Sequence, residues 1–218
     1  MILAWGITRN CIDKTLHGLA AEITLETCQE RYLTVQRAMD TMAKTLQRVS
    51  PNAVVIIGDD HHEMFPEDHM PAVNVYWGET YLNSPVDLEK VLPFRRSGMW
   101  AYRPEQPEWY PCRADLGRHI IESLIAQQFD VSHSRSVPAD REIGHAFNFI
   151  VRRFMAASNP IPQVPVFLNT YFPPTQPVVS RCYAFGKALR RAIDSWDASK
   201  SVAIIASGGL SHFIVDEE

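Results

Sequence analysis

The chain has 218 residues, 46% hydrophobic and 21% charged, with a formal net charge of −4, which suits one sizeable core. The charge excludes the strongly basic surface of a nucleic-acid binder, since the adjacent arginines (Arg95 and Arg96, Arg152 and Arg153, Arg190 and Arg191) are scattered along the chain. No apolar run approaches the ~20 residues of a membrane span, MILAWGITRNC is too short and too polar for a signal peptide, and Cys11, Cys28, Cys112 and Cys182 form no CxxC, so a cytoplasmic chain with reduced thiols is expected.

Thr24 to Ser50 is the first predicted helix, with Val35, Met39, Met42, Leu46 and Val49 on one apolar stripe. Thr27 and Glu30 offer a capping box, and Pro51 follows the end. AVVII (Ala53 to Ile57) is a continuous apolar run rich in β-branched residues, the pattern of a strand covered on both faces. AVNVYW (Ala72 to Trp77) is the next predicted strand. Residues 78 to 113, rich in Pro, Trp, Tyr and Arg, are expected to form an excursion of short strands and long loops. Ala114 to Gln128 is a helix with Leu116, Ile120, Ile121, Leu124 and Ile125 on its apolar face and His119 on its polar side. FNFIVRRFM is ambiguous between strand and helix.

VPVFLN (Val164 to Asn169) is a strand that runs into the Pro-rich loop TYFPPTQP. Ser180 to Ser195 is a helix with Tyr183, Leu189 and Ile193 inward, and SVAIIASGG is a last strand stopping at a glycine pair. Strands alternating with helices predict a single α/β domain, with a largely parallel or mixed central sheet flanked by helices.

Ligands of such sheets bind beyond the carboxyl ends of the strands. Polar clusters stand at three of those ends: Gly58-Asp59-Asp60-His61-His62, Asn169-Thr170-Tyr171 and Gly208-Gly209-Leu210-Ser211-His212. Neighbours in an extended segment face opposite ways, so His61 and His62 do not readily share one metal. An imidazole at His212 can act as general acid or base near neutral pH. His145, in EIGHAFNF, is either a core histidine or a site residue. His17, His69, His119 and His133 are given no role.

In this order, VVIIGDDHHEMF, MPAVNVYWGET, GHAFNFI, VPVFLNTYFPPTQP and ASGGLSHFIVDEE resemble the class III extradiol ring-cleaving dioxygenases, relatives of the catalytic subunit of protocatechuate 4,5-dioxygenase. The resemblance runs from about Ile23 to the C-terminus. It implies a non-haem Fe(II) held by two histidines and one carboxylate. The substrates implied are O2 and a catecholic aromatic of the protocatechuate, gallate or methylgallate kind. His61 aligns with an iron ligand, with His62 as its rival. His212 matches an acid–base histidine and His145 a histidine lining the substrate pocket, and both are expected to serve catalysis. Asp60 and Glu63 are expected to stand behind the metal ligand. Tyr171, Phe172 and the stretch from Trp100 to Tyr110 can stack on a planar ring, and paired arginines can grip a substrate carboxylate.

The family's Ser-His-x-Pro loop, source of the other iron histidine, has no match in MILAWGITRNCIDKTLHG, and its carboxylate ligand lies beyond the GLSHF motif. The expectation is therefore a partial domain over residues 1–218, cut at both ends, with one iron ligand placed. Relatives dimerise or use a small helper subunit. Two other readings are kept: a metal-free interaction protein on the same fold, and a metallophosphoesterase, whose Asp-x-His and Gly-Asn-His-Glu partners are missing.

Overall fold

The computed structural model describes residues 24–155 and 160–208; His17, Cys11 and His212 with its Leu-Ser-His motif lie outside the described residues. The first helix, α1 (Leu25–Val49), begins where the Thr24 side chain accepts the Thr27 N–H at 3.1 Å and ends at Ser50 in the left-handed region. The cap is thus Thr24, and Thr27 is already inside the helix, so the expected capping box does not form. Strand β1 (Ala53–Gly58) follows. Its alternation divides the interior, with Val54 and Ile56 in one apolar cluster and Ala53 and Val55 in the other.

After β2 (Val73–Tyr76) the excursion forms a separate antiparallel ribbon of β3 (Thr80–Asn83) and β4 (Glu108–Pro111), with single helical turns between them. Then come α2 (Ala114–Ala126), β5 (Ser132–Ser134), α3 (His145–Phe154), β6 (Gln163–Leu168), α4 (Val179–Asp194) and β7 (Val202–Ala206). The ambiguous FNFIVRRFM is helical: Phe147, Ile150, Val151 and Phe154 are buried, at the steps of three and four that fit α3 to the sheet.

The main sheet has the order β5-β2-β6-β1-β7. β1 runs parallel to both β6 and β7, and β2 runs antiparallel to β6, so the sheet is mixed. α1 and α3 cover one face, where Leu46, Phe147 and Ile150 join Val54 and Ile56. α2 and α4 cover the other, where Leu116, Ile120, Phe185 and Leu189 join Val55 and Val164. Each such large side chain withdrawn from water contributes about 1.5–3 kcal/mol.

Three stripes differ from expectation, the first on α2, where Leu116, Ile120, Ile121 and Leu124 are buried but Ile125 is 57% exposed. On α1, Met39, Ala43 and Leu46 face the core, while Val35, Met42 and Val49 are about half exposed, because α1 meets α3 along a narrow face. On α4, Leu189 is buried but Tyr183 is 69% exposed, since the inward line runs through Phe185, Ala188, Leu189 and Ala192. His119 does not simply face solvent: its Nε2 lies 3.0 Å from the Ala192 carbonyl and 3.1 Å from Ser195 Oγ, tying α2 to the end of α4. No helix among the described residues is long and apolar enough to cross a membrane.

The register sets one functional rim. Gly58 pairs with Phe167 and Ile57 with Ala206, so β1, β6 and β7 end together. The Asn169 N–H donates to the Ala72 carbonyl at 3.0 Å, which brings the start of β2 to the same rim. A Cβ on Gly58 would lie 3.0 Å from Ala146 Cβ and 3.3 Å from Phe147 Cζ. Gly58 therefore lets the start of α3 press on the end of β1. Gly58→Val is expected to lower stability by about 1–3 kcal/mol through overpacking, read as a lower urea midpoint with an unchanged slope.

Candidate active site

Past Gly58 the chain turns sharply, and each ionisable side chain takes a different direction. The Asp60 carboxylate accepts the N–H groups of Met64 (2.9 Å) and Phe65 (3.1 Å), closing the turn from within. Burial raises its pKa despite those two bonds. His62 has φ 62°, the left-handed region, which swings its ring away from His61 and onto Phe172 at 3.9 Å between centroids. Arg141 donates to the His62 carbonyl at 3.2 Å and fixes that bend.

His61 lies half-buried on the rim among aromatic side chains. Its Nε2 lies 3.1 Å from Asp59 Oδ2, with Asp59 buried beneath it. The bond to Asp59 raises the His61 pKa, more than burial lowers it. Tyr171 stacks on the ring at 5.7 Å and 18°, Phe172 meets it edge-on at 6.3 Å, and His145 meets it edge-on at 5.1 Å. Tyr102 closes the far side, 5.7 Å from the His145 ring. The rim thus brings together His61, His145, Tyr171 and Phe172 with Asp59 of the strand-end cluster and Tyr102 of the stretch from Trp100 to Tyr110.

Asn169, at the end of β6, organises the aromatic wall. Its side chain accepts the N–H groups of Tyr171 (3.2 Å) and Phe172 (2.8 Å) and donates to the Phe172 carbonyl at 2.7 Å. It is almost fully buried, so the loop is held by bonds that water cannot replace. Glu63 belongs to His145: its Oε1 accepts the His145 backbone N–H at 3.0 Å and faces ring Nδ1 at 2.9 Å. The carboxylate therefore sits at the N-terminus of α3, where the helix dipole favours negative charge. Burial pushes the Glu63 pKa up, but the His145 bonds and the Arg103 charge outweigh it and leave it below the ordinary value.

Asp60 does not stand behind His61 as expected; the side chain there is Asp59, and Asp60 is a turn-former because its neighbour already occupies the inward direction. The paired arginines are mostly engaged elsewhere. Arg152 bonds Glu108, Arg153 bonds Gln36, Arg190 bonds Asp194, Arg191 bonds Gln127 and Arg96 bonds the Val91 carbonyl. His69 is exposed on a short turn, and His133 receives the Trp77 indole N–H at 3.1 Å.

Adjacent donors in an octahedral sphere with ~2.1 Å bonds stand about 3 Å apart. His61 Nε2 and Asp59 Oδ2, at 3.1 Å, have that spacing, and imidazole with carboxylate is a donor set suited to a divalent transition metal. No group of three or more His, Cys, Asp or Glu that could hold a metal occurs among the described residues; His61 and Asp59 stand there as a hydrogen-bonded pair.

A family model described as the catalytic LigB subunit of aromatic ring-opening dioxygenase matches residues 23–218. The chain belongs to this LigB family. Gallate dioxygenase of Pseudomonas putida is 39% identical over 106 residues, covering 48% of this chain and 30% of that protein. The 2,3-dihydroxyphenylpropionate/2,3-dihydroxicinnamic acid 1,2-dioxygenase of Cupriavidus necator is 26% identical over 210 residues, covering 94% of this chain and 56% of that one. A protein of the same description from Rhodococcus is 27% identical over 193 residues, with 84% and 51% covered. This LigB chain thus spans about half the length, or less, of the curated relatives it matches.

Glu63 gives this LigB chain an acid-sensitive contact. Because its folded pKa lies below its unfolded value near 4.5, its stabilisation is complete above that value and is lost as pH falls through the folded pKa. The stability gap between the unaltered chain and Glu63→Gln is expected to narrow as urea titrations move from pH 6 to below pH 4.

Proposed function

We propose that the chain catalyses extradiol opening of a catecholic aromatic ring with O2, using Fe(II). The observation that carries this reading is the cluster of histidine, carboxylate and aromatic side chains on the rim. His61 bonds the buried Asp59 carboxylate, Tyr171 stacks on the His61 ring, and a second histidine, His145, stands 5.1 Å from it. The membership of the LigB family and the likeness to proteins named as gallate and dihydroxyphenylpropionate dioxygenases support it.

In this reading His61 and Asp59 are the described donors to iron, which when bound supplies a Lewis-acid and redox centre for the diol and O2. The spacing of Asp59 beneath His61 supports His61 over His62, whose ring is committed to Phe172. The chain's own contribution is placement. Tyr171 and Phe172, fixed through Asn169 and packed on His61 and His62, border the ring of the diol with their remaining aromatic surface, and Tyr102 confines it from the opposite side. His145 offers a ring nitrogen to a diol hydroxyl. His212, outside the described residues, is assigned the acid–base role. Substrates of the gallate or protocatechuate kind are proposed, because the aromatic side chains accept a planar ring and a named relative acts on gallate.

Oxygen uptake in the presence of Fe(II) and a panel of catechols, gallates and their methyl ethers tests the proposal. Uptake with appearance of a yellow ring-opened product is expected with at least one diol. It should be lost in His61→Ala and retained in His62→Ala. Tyr171→Ala is expected to raise KM about tenfold, the scale of 1–1.5 kcal/mol for a lost aromatic contact. No product from any diol overturns the reading.

A further inference from the structure

The two oxygens of Glu63 have unequal surroundings. Oε1 holds both the backbone N–H and ring Nδ1 of His145. Oε2 is buried without a hydrogen-bond partner and lies 1.8 Å from where a Cβ on residue 144 would be. Gly144 has φ −73° and ψ 179°, a conformation open to any residue. Glycine stands there for room, and the room is filled by this carboxylate.

The loop bearing Glu63 is fixed from the same side. The Glu142 N–H donates to the Glu63 carbonyl at 3.1 Å, and Arg141 holds the carbonyl of His62. Arg103, mostly buried, pairs with Glu142 and adds its positive charge to the surroundings of Glu63. A neutral imidazole carries one N–H, and the hydrogen bond made at one nitrogen decides which nitrogen carries it. A carboxylate at Nδ1 can only accept.

We propose that Glu63 is a positioning residue: seated in the space left by Gly144, it fixes the His145 ring as the Nδ1–H tautomer and turns a bare Nε2 away as a hydrogen-bond acceptor for the bound diol. The role in substrate orientation rests on the function proposed for the rim cluster; the tautomer assignment does not.

Two-bond proton–nitrogen NMR of the ¹⁵N-labelled full chain at pH 8.5 reads the tautomer directly, with the His145 signals assigned by their loss in His145→Phe. The unaltered chain is expected to carry its proton on Nδ1. Glu63→Ala should move the proton to Nε2 in most molecules. Glu63→Gln, whose amide oxygen still accepts, should keep it on Nδ1. Gly144→Ala leaves Glu63 chemically intact but fills its seat, and should shift the ring as Glu63→Ala does; it decides the matter if Glu63→Ala fails to fold. An Nε2–H ring in the unaltered chain, or an unmoved proton in the folded variants, overturns the proposal.

In the oxygen-uptake assay Glu63→Ala is expected to lose about 10²-fold in kcat/KM, the scale of a misplaced group, with Glu63→Gln retaining more. A ring that changes tautomer in a chain that opens no diol overturns the proposed activity and leaves the positioning role standing. Ring opening with an unmoved tautomer does the reverse.

Discussion

The start of α3 presses on the end of β1, and the geometry of the rim follows from that contact. Two glycines permit it from opposite sides. Gly58 clears space for Ala146 and Phe147, and Gly144 clears space for the Glu63 carboxylate. The first contact brings a helix N-terminus to a strand end. The second lets an acidic side chain cap it, satisfying an N–H that the helix itself cannot use. His61 and His145, far apart in the chain, then face each other across 5.1 Å.

A crowd of charges at a half-buried rim is tolerable only if each charge has its own partner. Here the partners are divided without overlap. Asp60 takes backbone N–H groups, Asp59 takes His61, Glu63 takes His145, and Glu142 takes Arg103. The turn at His62 sends the carboxylates to different partners, although the Glu63 charge still adds to the raised pKa of Asp60. What seems in one dimension to be a single acidic cluster is a set of separate pairs sharing one rim.

Much of this was legible in the sequence. The apolar runs at Ala53 and Val164 mark the central strands, and polar residues at their ends mark the rim. Period-two alternation predicts that His61 and His62 diverge; they do, but through the left-handed turn at His62 rather than through an extended strand. Other features depend on partners distant in sequence. The α1 stripe is wider than the face α3 covers, so Val35, Met42 and Val49 read as core although they are exposed. Tyr183 fits an apolar periodicity that its neighbour Phe185 satisfies instead. Tyr102 comes from an excursion without local periodicity, and only the ribbon of β3 and β4 brings it to the rim. Gly144 looks like a loop glycine until the Glu63 carboxylate is seen in its place.

The parallel pairing of β1 also constrains the order in which the protein can be made. Val54 faces Gln163 on one side and Ala203 on the other. A ribosome adding about 5–20 residues each second therefore releases the most apolar strand many seconds before either flanking strand exists. Non-local parallel pairing is slow to form in any case. During synthesis AVVII must be shielded by something other than its final neighbours. Among the described residues, the amphipathic α1, completed just before it, is the long element available to do so.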